Sequence, residues 1–360
     1  MEPTDTRTGT PQSLYTHIFV LRTRFILLFA LLGVLFAADL LIGSTGVVWP
    51  WGTASDSAAA EATAEIGRRI LFDFRLPKAL VALLAGVALS ISGLLMQTVF
   101  RNPLAGPYVL GVSSGASLGV ALFLLGLPLV GGQGLGSGIG RDLGMATAAW
   151  IGAAAILVLV MVVSARIRDI MAVLILGMMF GSAASAFVDL LQYFSHEAAL
   201  KGFVVWSMGS LGGLSAGQVG VMAGCVAAGG LLAGGMIKPL NLLLLGEGYA
   251  RSMGVSIGRV RGGVFLATSL LAGSATAFCG PIGFVGIAVP HVARMLFRRA
   301  DHRILLPGSG LIGANMLLFC DLVAQLPGSD LVLPINTLTA LLGIPVVVLV
   351  VVGSKRGRIM

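Results

Sequence analysis

Residue types that support catalysis or metal binding are few in this sequence and lie far apart. The four histidines and three cysteines form no group at the spacing of a metal site, so we predict no metal ligand. Glycine is never followed directly by lysine, which excludes the G-x-x-x-x-G-K-[ST] loop that holds phosphate in P-loop ATPases. We therefore predict no catalytic residue in this chain and no cofactor bound by it.

The amino-acid composition indicates that the helices of this chain lie in a membrane. Hydrophobic residues make up 57% of the chain and charged residues only 11%, whereas soluble proteins have about 25% charged residues. Long runs carry no charge and approach the ~20 residues that a helix needs to cross a ~30 Å hydrocarbon layer. The sequence thus predicts an all-α, polytopic protein in contact with membrane lipid.

Hydropathy predicts about ten transmembrane helices. The first apolar run, Phe25 to Ile42, is long enough to span, and no signal-peptide cleavage site follows it. The eighth is short and lies beside Gly280, Pro281 and Pro290, so we expect a tilted or broken helix. The predicted spans are 25–43, 79–99, 106–126, 144–164, 170–193, 216–236, 262–280, 283–297, 304–324 and 334–353. They form one transmembrane domain, 25–355, between cytoplasmic tails at 1–24 and 356–360.

The basic residues predict the orientation of these spans. A net charge of +8 would suit a nucleic-acid-binding protein, but Lys and Arg occur singly or in small groups between apolar runs. That pattern sets the topology of membrane helices, and most of the 23 basic residues fall on the side that carries both termini. We predict cytoplasmic termini, the bacterial cytoplasmic (inner) membrane, and no nucleic-acid partner.

Ionisable residues inside the spans indicate how such a protein could be energised. Only Asp39, Asp189 and Asp321 fall within spans, and each lies near an outer end. An ion-coupled carrier needs such groups near the middle of the membrane. Because this relay and a P-loop are both missing from the sequence, we expect energy to come from a separate subunit.

The cytoplasmic segment 238–261 is the predicted contact with that subunit. Leu242–Met253 is predicted to form one short amphipathic helix that ends near Gly254, with Glu247 and Arg251 paired one turn apart. The alternative is an interfacial helix that lies on lipid headgroups. The apolar residues that could face a partner are Leu243, Leu244, Ala250 and Met253.

Small residues recur at four-residue spacing within several spans. Such residues let helix backbones approach closely where no hydrophobic effect drives association. We therefore expect a tight bundle. The pairs are Gly86/Ser90, Gly177/Gly181, Gly230/Gly234 and Gly273/Ala277.

A set of short motifs extends in order from about residue 68 to the C-terminus, and together they resemble the FecCD-type permeases of bacterial ABC importers. These permeases import iron–siderophore complexes, haem and vitamin B12. The motifs are Arg75-Leu76-Pro77-Lys78, Leu83-Leu84-Ala85-Gly86, Asn102-Pro103-Leu104-Ala105, Leu110-Gly111-Val112-Ser113-Ser114-Gly115-Ala116, Trp206-Ser207-Met208-Gly209-Ser210-Leu211, Gly280-Pro281-Ile282-Gly283-Phe284-Val285-Gly286, Pro290-His291-Val292-Ala293-Arg294 and Leu333-Pro334.

The resemblance implies an architecture and a set of partners. The fold would be the ten-helix, vitamin B12 permease-like fold of type II ABC importers. The chain would work as a homodimer with the transport path at the dimer axis. Two ABC ATPase subunits would use ATP on the cytoplasmic side, and an extracytoplasmic substrate-binding protein would dock on the other.

The resemblance also implies roles for particular residues. In this family a cytoplasmic coupling loop docks in a cleft of the ATPase, and basic residues of the outer face receive acidic residues of the binding protein. Arg75 lies in the matching outer motif, and the prediction extends to Arg68 and Arg69. The predicted coupling residues are Leu245, Gly246, Glu247, Ala250, Arg251 and Gly254.

Two positions near the last span depart from the family pattern. Val332 stands where an acidic residue is frequent, and Asn336 stands where glycine is frequent. Because the mouth of this span lies near the path, the departure bears on the cargo rather than on the fold. The candidates for the transport path or its gate are Asn102, Pro103, Trp206, Pro334 and Asn336.

The predicted function is the membrane-spanning permease of an ABC importer for an iron chelate, either a ferric siderophore or haem. A separate ATPase subunit would drive it. Cobalamin import by the same mechanism is the alternative within the family. Outside the family, an ion-coupled secondary transporter and a non-transporting membrane scaffold are the other candidates.

Overall fold

The structure, a computed structural model, describes residues 11–43, 46–47, 65–126, 139–164, 166–167, 169–325 and 332–354. Most of these residues are helical, because a backbone without water must satisfy its own N–H and C=O groups. A short ribbon, β1 (Ile42–Gly43) and β2 (Gly46–Val47), follows the first helix. The helices are α1 (Pro11–Leu41), α2 (Glu65–Phe100), α3 (Val112–Gly126), α4 (Ile139–Ser164), α5 (Ile170–Tyr193), α6 (Glu197–Ser207), α7 (Ala216–Gly235), α8 (Ile237–Leu244), α9 (Glu247–Ser252), α10 (Ile257–Cys279), α11 (Val285–Phe297), α12 (His302–Ala324) and α13 (Ile335–Ser354).

Within the described part of the chain, the helices confirm the predicted all-α polytopic fold. Seven helices are long and apolar enough to cross a membrane, and the shorter apolar helices α3, α11 and α13 match the remaining predicted spans. The bounds of α5 agree with the predicted span, and α11 is short with Pro290 inside it. By contrast, α1 begins at Pro11 and α2 at Glu65, both earlier than predicted.

The early start of α2 has a local cause. A π turn, Ile70–Arg75, immediately precedes Leu76–Phe100, whose second residue is Pro77. In a regular helix the proline ring would clash with a carbonyl of the preceding turn, and the wider π turn moves that carbonyl away. The helix therefore continues through a proline that was expected to lie outside the span.

The centre of the bundle is α2. In the most apolar 18-residue stretch of α2, 78% is buried within the chain, whereas only 6% is buried in the corresponding stretch of α1. A Cβ atom on Gly86 would overlap the backbone of Gly313 in α12, and one on Gly93 would overlap the backbone of Gly286 in α11. The lack of a side chain at these glycines therefore allows three helices to pack with their backbones in contact.

Two of the other small-residue pairs differ in their surroundings. A Cβ on Gly177 would come within 3 Å of the backbone of Val109 and Leu110, so the Gly177/Gly181 pair brings α5 against the start of the third span. Gly230 and Gly234 have nothing within 4 Å in the described chain. Close packing is thus found at Gly86 and Gly177, and the described residues show no neighbour against this α7 pair.

The segment 238–261 contains two short helices before α10, so the prediction of one helix over Leu242–Met253 is wrong. α8 ends at Leu244 and α9 begins at Glu247. Between them Gly246 has a φ of 120°, a backbone conformation that residues with a side chain rarely adopt. Glycine at this position therefore forms a corner between the two short helices.

One helix, α6, was not predicted. It has eleven residues and includes Glu197 and Lys201, so it is too short and too charged to be recognised as a span. Its last residues include Trp206, one of the predicted path residues. α6 places Trp206 beside the turn between α10 and α11.

Candidate functional site

The loops between consecutive spans alternate between two faces of the bundle. We call one the basic face and the other the opposite face. The basic face is formed by residues 101–106, 236–256 and 298–301. The opposite face is formed by residues 42–43, 194–215, 280–284 and 332–334.

On the basic face, α8 and α9 expose an apolar surface that differs from the predicted one. Leu243 and Ala250 are 4% and 0% exposed, so these two residues face the protein body and not a partner. The reason is the corner at Gly246, which turns α9 relative to the helix that was predicted. The large side chains that project outward, here called the apolar tip, are Leu244, Leu245, Tyr249 and Met253.

Glu247 fixes α9 to the end of a span. Its carboxylate lies 2.7 Å from the guanidinium of Arg261 in α10 and 3.6 Å from that of Arg251. The predicted pair one turn apart is present, but the shorter contact is the one with Arg261. The sequence spacing revealed the local pair only, because contacts between elements leave no periodic signal.

Arg101 joins the corner of the segment to the end of α2. Its guanidinium donates a hydrogen bond of 3.0 Å to the carbonyl of Leu243 and lies close to Gly246. The backbone of Arg101 is left-handed, with a φ of 47°, and it ends the helix that forms the centre of the bundle. The corner is therefore attached directly to the most buried span.

A second connection runs through Asn241 of α8. Its amide nitrogen donates to the carboxylate of Asp301 at 2.6 Å, so its oxygen faces His302 and accepts from the Nδ1 of that ring at 2.7 Å. The other ring nitrogen, Nε2, then accepts from the hydroxyl of Thr98 in α2 at 2.9 Å. This chain of side chains links α8, α12 and α2.

Asp301 also caps α12. Its carboxylate accepts a hydrogen bond of 2.9 Å from the backbone N–H of Arg303. This bond, and to a smaller degree that from Asn241, lowers the pKa of Asp301 below its ordinary value of 3.8.

The five predicted path residues divide between the two faces. Asn102 and Pro103 lie in the loop after α2 on the basic face, where the Pro103 carbonyl is 2.7 Å from the Nε2 of His291. Trp206, Pro334 and Asn336 lie on the opposite face. The structure therefore brings three of them together and separates the other two by the length of a span.

On the opposite face the turn between α10 and α11 contacts two other segments. The side-chain oxygen of Asn336 accepts from the N–H of Gly283 at 2.9 Å, and the N–H of Ser210 donates to the carbonyl of Cys279 at 2.8 Å. The carbonyl of Trp206 lies so close to Gly280 that a side chain there would be excluded. These contacts join the ends of α6, α10 and α13.

The three predicted docking arginines occupy different environments. Arg68 and Arg69 are exposed, and Arg69 pairs with Glu65 at 2.7 Å. Arg75 is only 7% exposed, and its guanidinium donates to the carbonyls of Leu40 and Leu41. In this chain Arg75 therefore attaches α2 to the end of α1 and is not on the surface.

A buried polar cluster near Arg75 was missed by the sequence analysis. The ammonium of Lys78 lies 2.9 Å from the carboxylate of Asp321, which is 2% exposed. The amide of Gln325 donates to both Asp321 and Asp39, at 3.0 and 2.9 Å. The cluster joins α1, α2 and α12. The sequence places Lys78 and Asp321 far apart, so only the folded chain reveals the pair.

A groove between α3 and α5 was also not predicted. It has a volume of about 490 Å³ and is bordered by Ser114, Ser182, Ser185 and Asp189. The last three lie on the exposed side of α5. Hydroxyl and carboxylate groups are unfavourable against lipid, so this side of α5 is suited to a water-filled space. The sequence signal for it was a serine or aspartate every three or four residues.

The fold and its two polar faces define a class, the multi-pass transport permeases. The sequence pattern of the FecCD transport family matches residues 28–353. The chain belongs to this family of ABC importer permeases. Among the described residues, no three His, Cys, Asp or Glu side chains are grouped so that they could hold a metal ion.

Individual relatives agree with this assignment. The vitamin B12 import system permease protein BtuC of Escherichia coli O9:H4 (strain HS) is 36% identical over 290 residues, which are 81% of this chain and 86% of the relative. The protein with the same name from Citrobacter koseri is 36% identical over 291 residues, covering 81% and 85%.

Solved structures share the fold. An inward-facing metal-chelate type ABC transporter has a TM-score of 0.78 at 30% identity and covers 92% of this chain and 99% of its own. PsaBC from Streptococcus pneumoniae has a TM-score of 0.51 at 13% identity, with 79% and 94% covered, which indicates a shared fold only.

Proposed function

We propose that this chain is the permease subunit of an importer that moves a metal chelate into the bacterial cytoplasm. The carrying observation is the FecCD pattern over residues 28–353. The basic face would be cytoplasmic and hold both termini, because most Lys and Arg residues lie on that side. The permease would form a homodimer, bind two ATPase subunits on the basic face and receive a substrate-binding protein on the opposite face.

Two cargo classes follow from different observations. Iron chelates are the first expectation from the sequence, and the similarity to a metal-chelate type transporter supports that class. The relatives named for vitamin B12 import support cobalamin, which is itself a cobalt chelate. We retain the iron chelate as the first candidate and cobalamin as the second.

The apolar tip supports a docking role for α8 and α9. Leu244, Leu245, Tyr249 and Met253 are each about half exposed or more, and a contiguous apolar patch of this kind is typical of a protein interface. The ATPase subunit would cover it, and ATP-driven closure would push on the corner at Gly246. The alternative use of the tip is contact with lipid headgroups.

Arg101, Asn241 and Glu247 would pass this movement to the spans. Each joins α8 or α9 to a different span: Arg101 to α2, Asn241 to α12 and Glu247 to α10. A push on the two short helices would therefore reach three spans at once. Another subunit would thus supply the energy, and the present chain would have no ATPase site of its own.

The groove bordered by Ser114, Ser182, Ser185 and Asp189 is the proposed wall of the transport path. In a homodimer, two copies of this polar side of α5 would face each other across the axis. Hydroxyl-lined walls provide weak hydrogen bonds, which suit a path from which the cargo must also leave.

The deciding experiment measures ATP hydrolysis by the permease reconstituted with its ATPase and binding protein. The binding protein is loaded in turn with haem, a ferric siderophore and cobalamin, and the empty binding protein is the control. Stimulation by an iron chelate alone supports the first candidate, and stimulation by cobalamin alone supports the second. Activity that is independent of loaded binding protein, together with uptake that stops when the ion gradient is removed, would reject the proposal in favour of a secondary transporter.

A further inference from the structure

A cavity on the basic face is not used by the proposed transport function. It has a volume of about 360 Å³ and opens between the ends of α4, α5 and α10, next to α9. Most of its lining residues belong to the last turn of α4 and the first turns of α5 and α10, and Ile167 and Arg251 complete the lining. The cavity therefore lies at the level where spans leave the hydrocarbon layer and lipid headgroups begin.

The lining of this cavity has two chemically different parts. The inner wall is apolar and includes Met161, Val173 and Phe265. The rim carries Arg251 and Arg261. An apolar wall with guanidinium groups at one end matches an amphiphile with an anionic head, because a free inorganic anion would gain nothing from the apolar wall.

Glu247 contacts both arginines of the rim, at different distances. Its contact with Arg261 is a short 2.7 Å, and Arg261 is 14% exposed. Arg251 is 3.6 Å from Glu247, longer than a hydrogen bond, and its side chain is 61% exposed. Of these three residues, Arg251 is therefore the one that can bind an additional anion.

We propose that this cavity binds one anionic phospholipid, with the lipid phosphate against Arg251 and an acyl chain along the apolar wall. Guanidinium groups bind phosphate oxygens through paired N–H donors, which gives arginine an advantage over a simple point charge. The lipid would fill the gap between α4, α5 and α10 and contact α9 at its Arg251 end.

Two glycines of α10 make the cavity open. Gly258 and Gly262 are one turn apart and both line the cavity. A Cβ on either would meet nothing within 4 Å. A larger side chain at these positions would therefore fill the cavity without disturbing neighbouring residues, which provides a steric test that is independent of charge.

The test measures retained lipid by native mass spectrometry of the full-length permease in micelles with equal amounts of phosphatidylglycerol and phosphatidylcholine. We expect one phosphatidylglycerol retained per chain, about fivefold in preference to phosphatidylcholine, as one basic group near a membrane surface provides. Arg251→Gln and Gly262→Leu should each remove this preference. Arg259→Gln and Gly234→Leu are matched controls, since both are outside the cavity lining, and they should keep it.

Three outcomes would overturn the proposal. Equal retention of the two lipids by the unchanged chain would mean that the headgroup is not recognised. Unchanged preference in both Arg251→Gln and Gly262→Leu would place the bound lipid elsewhere. Displacement of the lipid preference by millimolar inorganic phosphate would indicate a site for the free anion. The transport proposal does not depend on any of these results, because the readout is lipid retention and not uptake.

Discussion

Two ion pairs at opposite ends of the bundle have nearly the same length and very different surroundings. On the basic face, Glu247 and Arg261 are 2.7 Å apart, with side chains 28% and 14% exposed. At the other end, Lys78 and Asp321 are 2.9 Å apart, with side chains 20% and 2% exposed. The first pair holds a six-residue helix to a span. The second belongs to a cluster that joins three spans.

The difference indicates which end of the molecule can move. An ion pair that water can reach is broken at little cost in free energy, because water replaces the lost partner. A buried carboxylate that loses its partners is left at a high cost in free energy. The cluster around Asp321 therefore fixes α1, α2 and α12 to one another. The contacts of Glu247 and Arg101 attach α9 and the end of α8 by side chains that water can reach, so these contacts can separate and form again.

Removing one member of the buried pair should have the largest effect. Asp321→Ala leaves the Lys78 ammonium without its carboxylate, and we expect a loss of about 3–5 kcal/mol of unfolding free energy. Thermal unfolding of the detergent-solubilised chain measures it. The matched control replaces both partners, Lys78→Met with Asp321→Leu, and should lose less than the single change. If the double variant is the less stable of the two, the cluster is not the fixed end that we describe.

Removing Glu247 should affect coupling more than stability. Glu247→Gln weakens the attachment of α9 to Arg261, and we expect transport per ATP hydrolysed to fall about tenfold, within the usual range of coupling between sites. Combining it with Arg251→Gln should uncouple hydrolysis from transport. Parallel uptake and ATPase assays in proteoliposomes provide the ratio.

Two controls make the Glu247 experiment specific. Arg251→Gln alone keeps the shorter contact of Glu247 with Arg261 and should reduce the ratio less than Glu247→Gln. Glu197→Gln changes an exposed carboxylate of α6 on the opposite face and should leave it as it was. An unchanged ratio in the double variant would contradict the role of α9 in coupling.

The smallest expected effect concerns pH at the start of α12. The folded-state pKa of Asp301 is below its ordinary 3.8, so its carboxylate stabilises the fold above that pH. This contribution is lost as the pH falls through the lowered pKa. As the pH falls from about 5 to 3, the melting temperature of the unchanged chain should therefore decrease more than that of Asp301→Asn. Equal decreases would mean that this cap contributes nothing measurable.

The spans were predictable because a helix needs about twenty mostly apolar residues to cross the hydrocarbon layer, and a run of that length is visible in the sequence. The fifth span agrees with α5 at both ends, and a π turn before Pro77 accompanies the early start of α2. α8 and α9 were predicted as one helix because an apolar pattern continues across Gly246. A single glycine at a positive φ does not interrupt such a pattern.

The polar contacts were much less predictable. Lys78 and Asp321, or Asn241 and His302, lie far apart in sequence, and a single sequence has no signal for such pairs. Arg75 shows the same limit. The resemblance to the family implied a docking role for Arg75, yet its guanidinium donates to the carbonyls of Leu40 and Leu41 inside the protein. The docking roles of Arg68 and Arg69 stay predictions.

The backbone contacts of α2 also have a consequence for biosynthesis. Gly86 and Gly93 meet their partners Gly313 and Gly286 only after about two hundred further residues have been made, on the order of tens of seconds at ordinary rates of synthesis. Until then the span that becomes the centre of the bundle has its glycines and serines exposed in the membrane. A nascent chain stalled before α11 would therefore hold its central helix without the backbone contacts of Gly86 and Gly93.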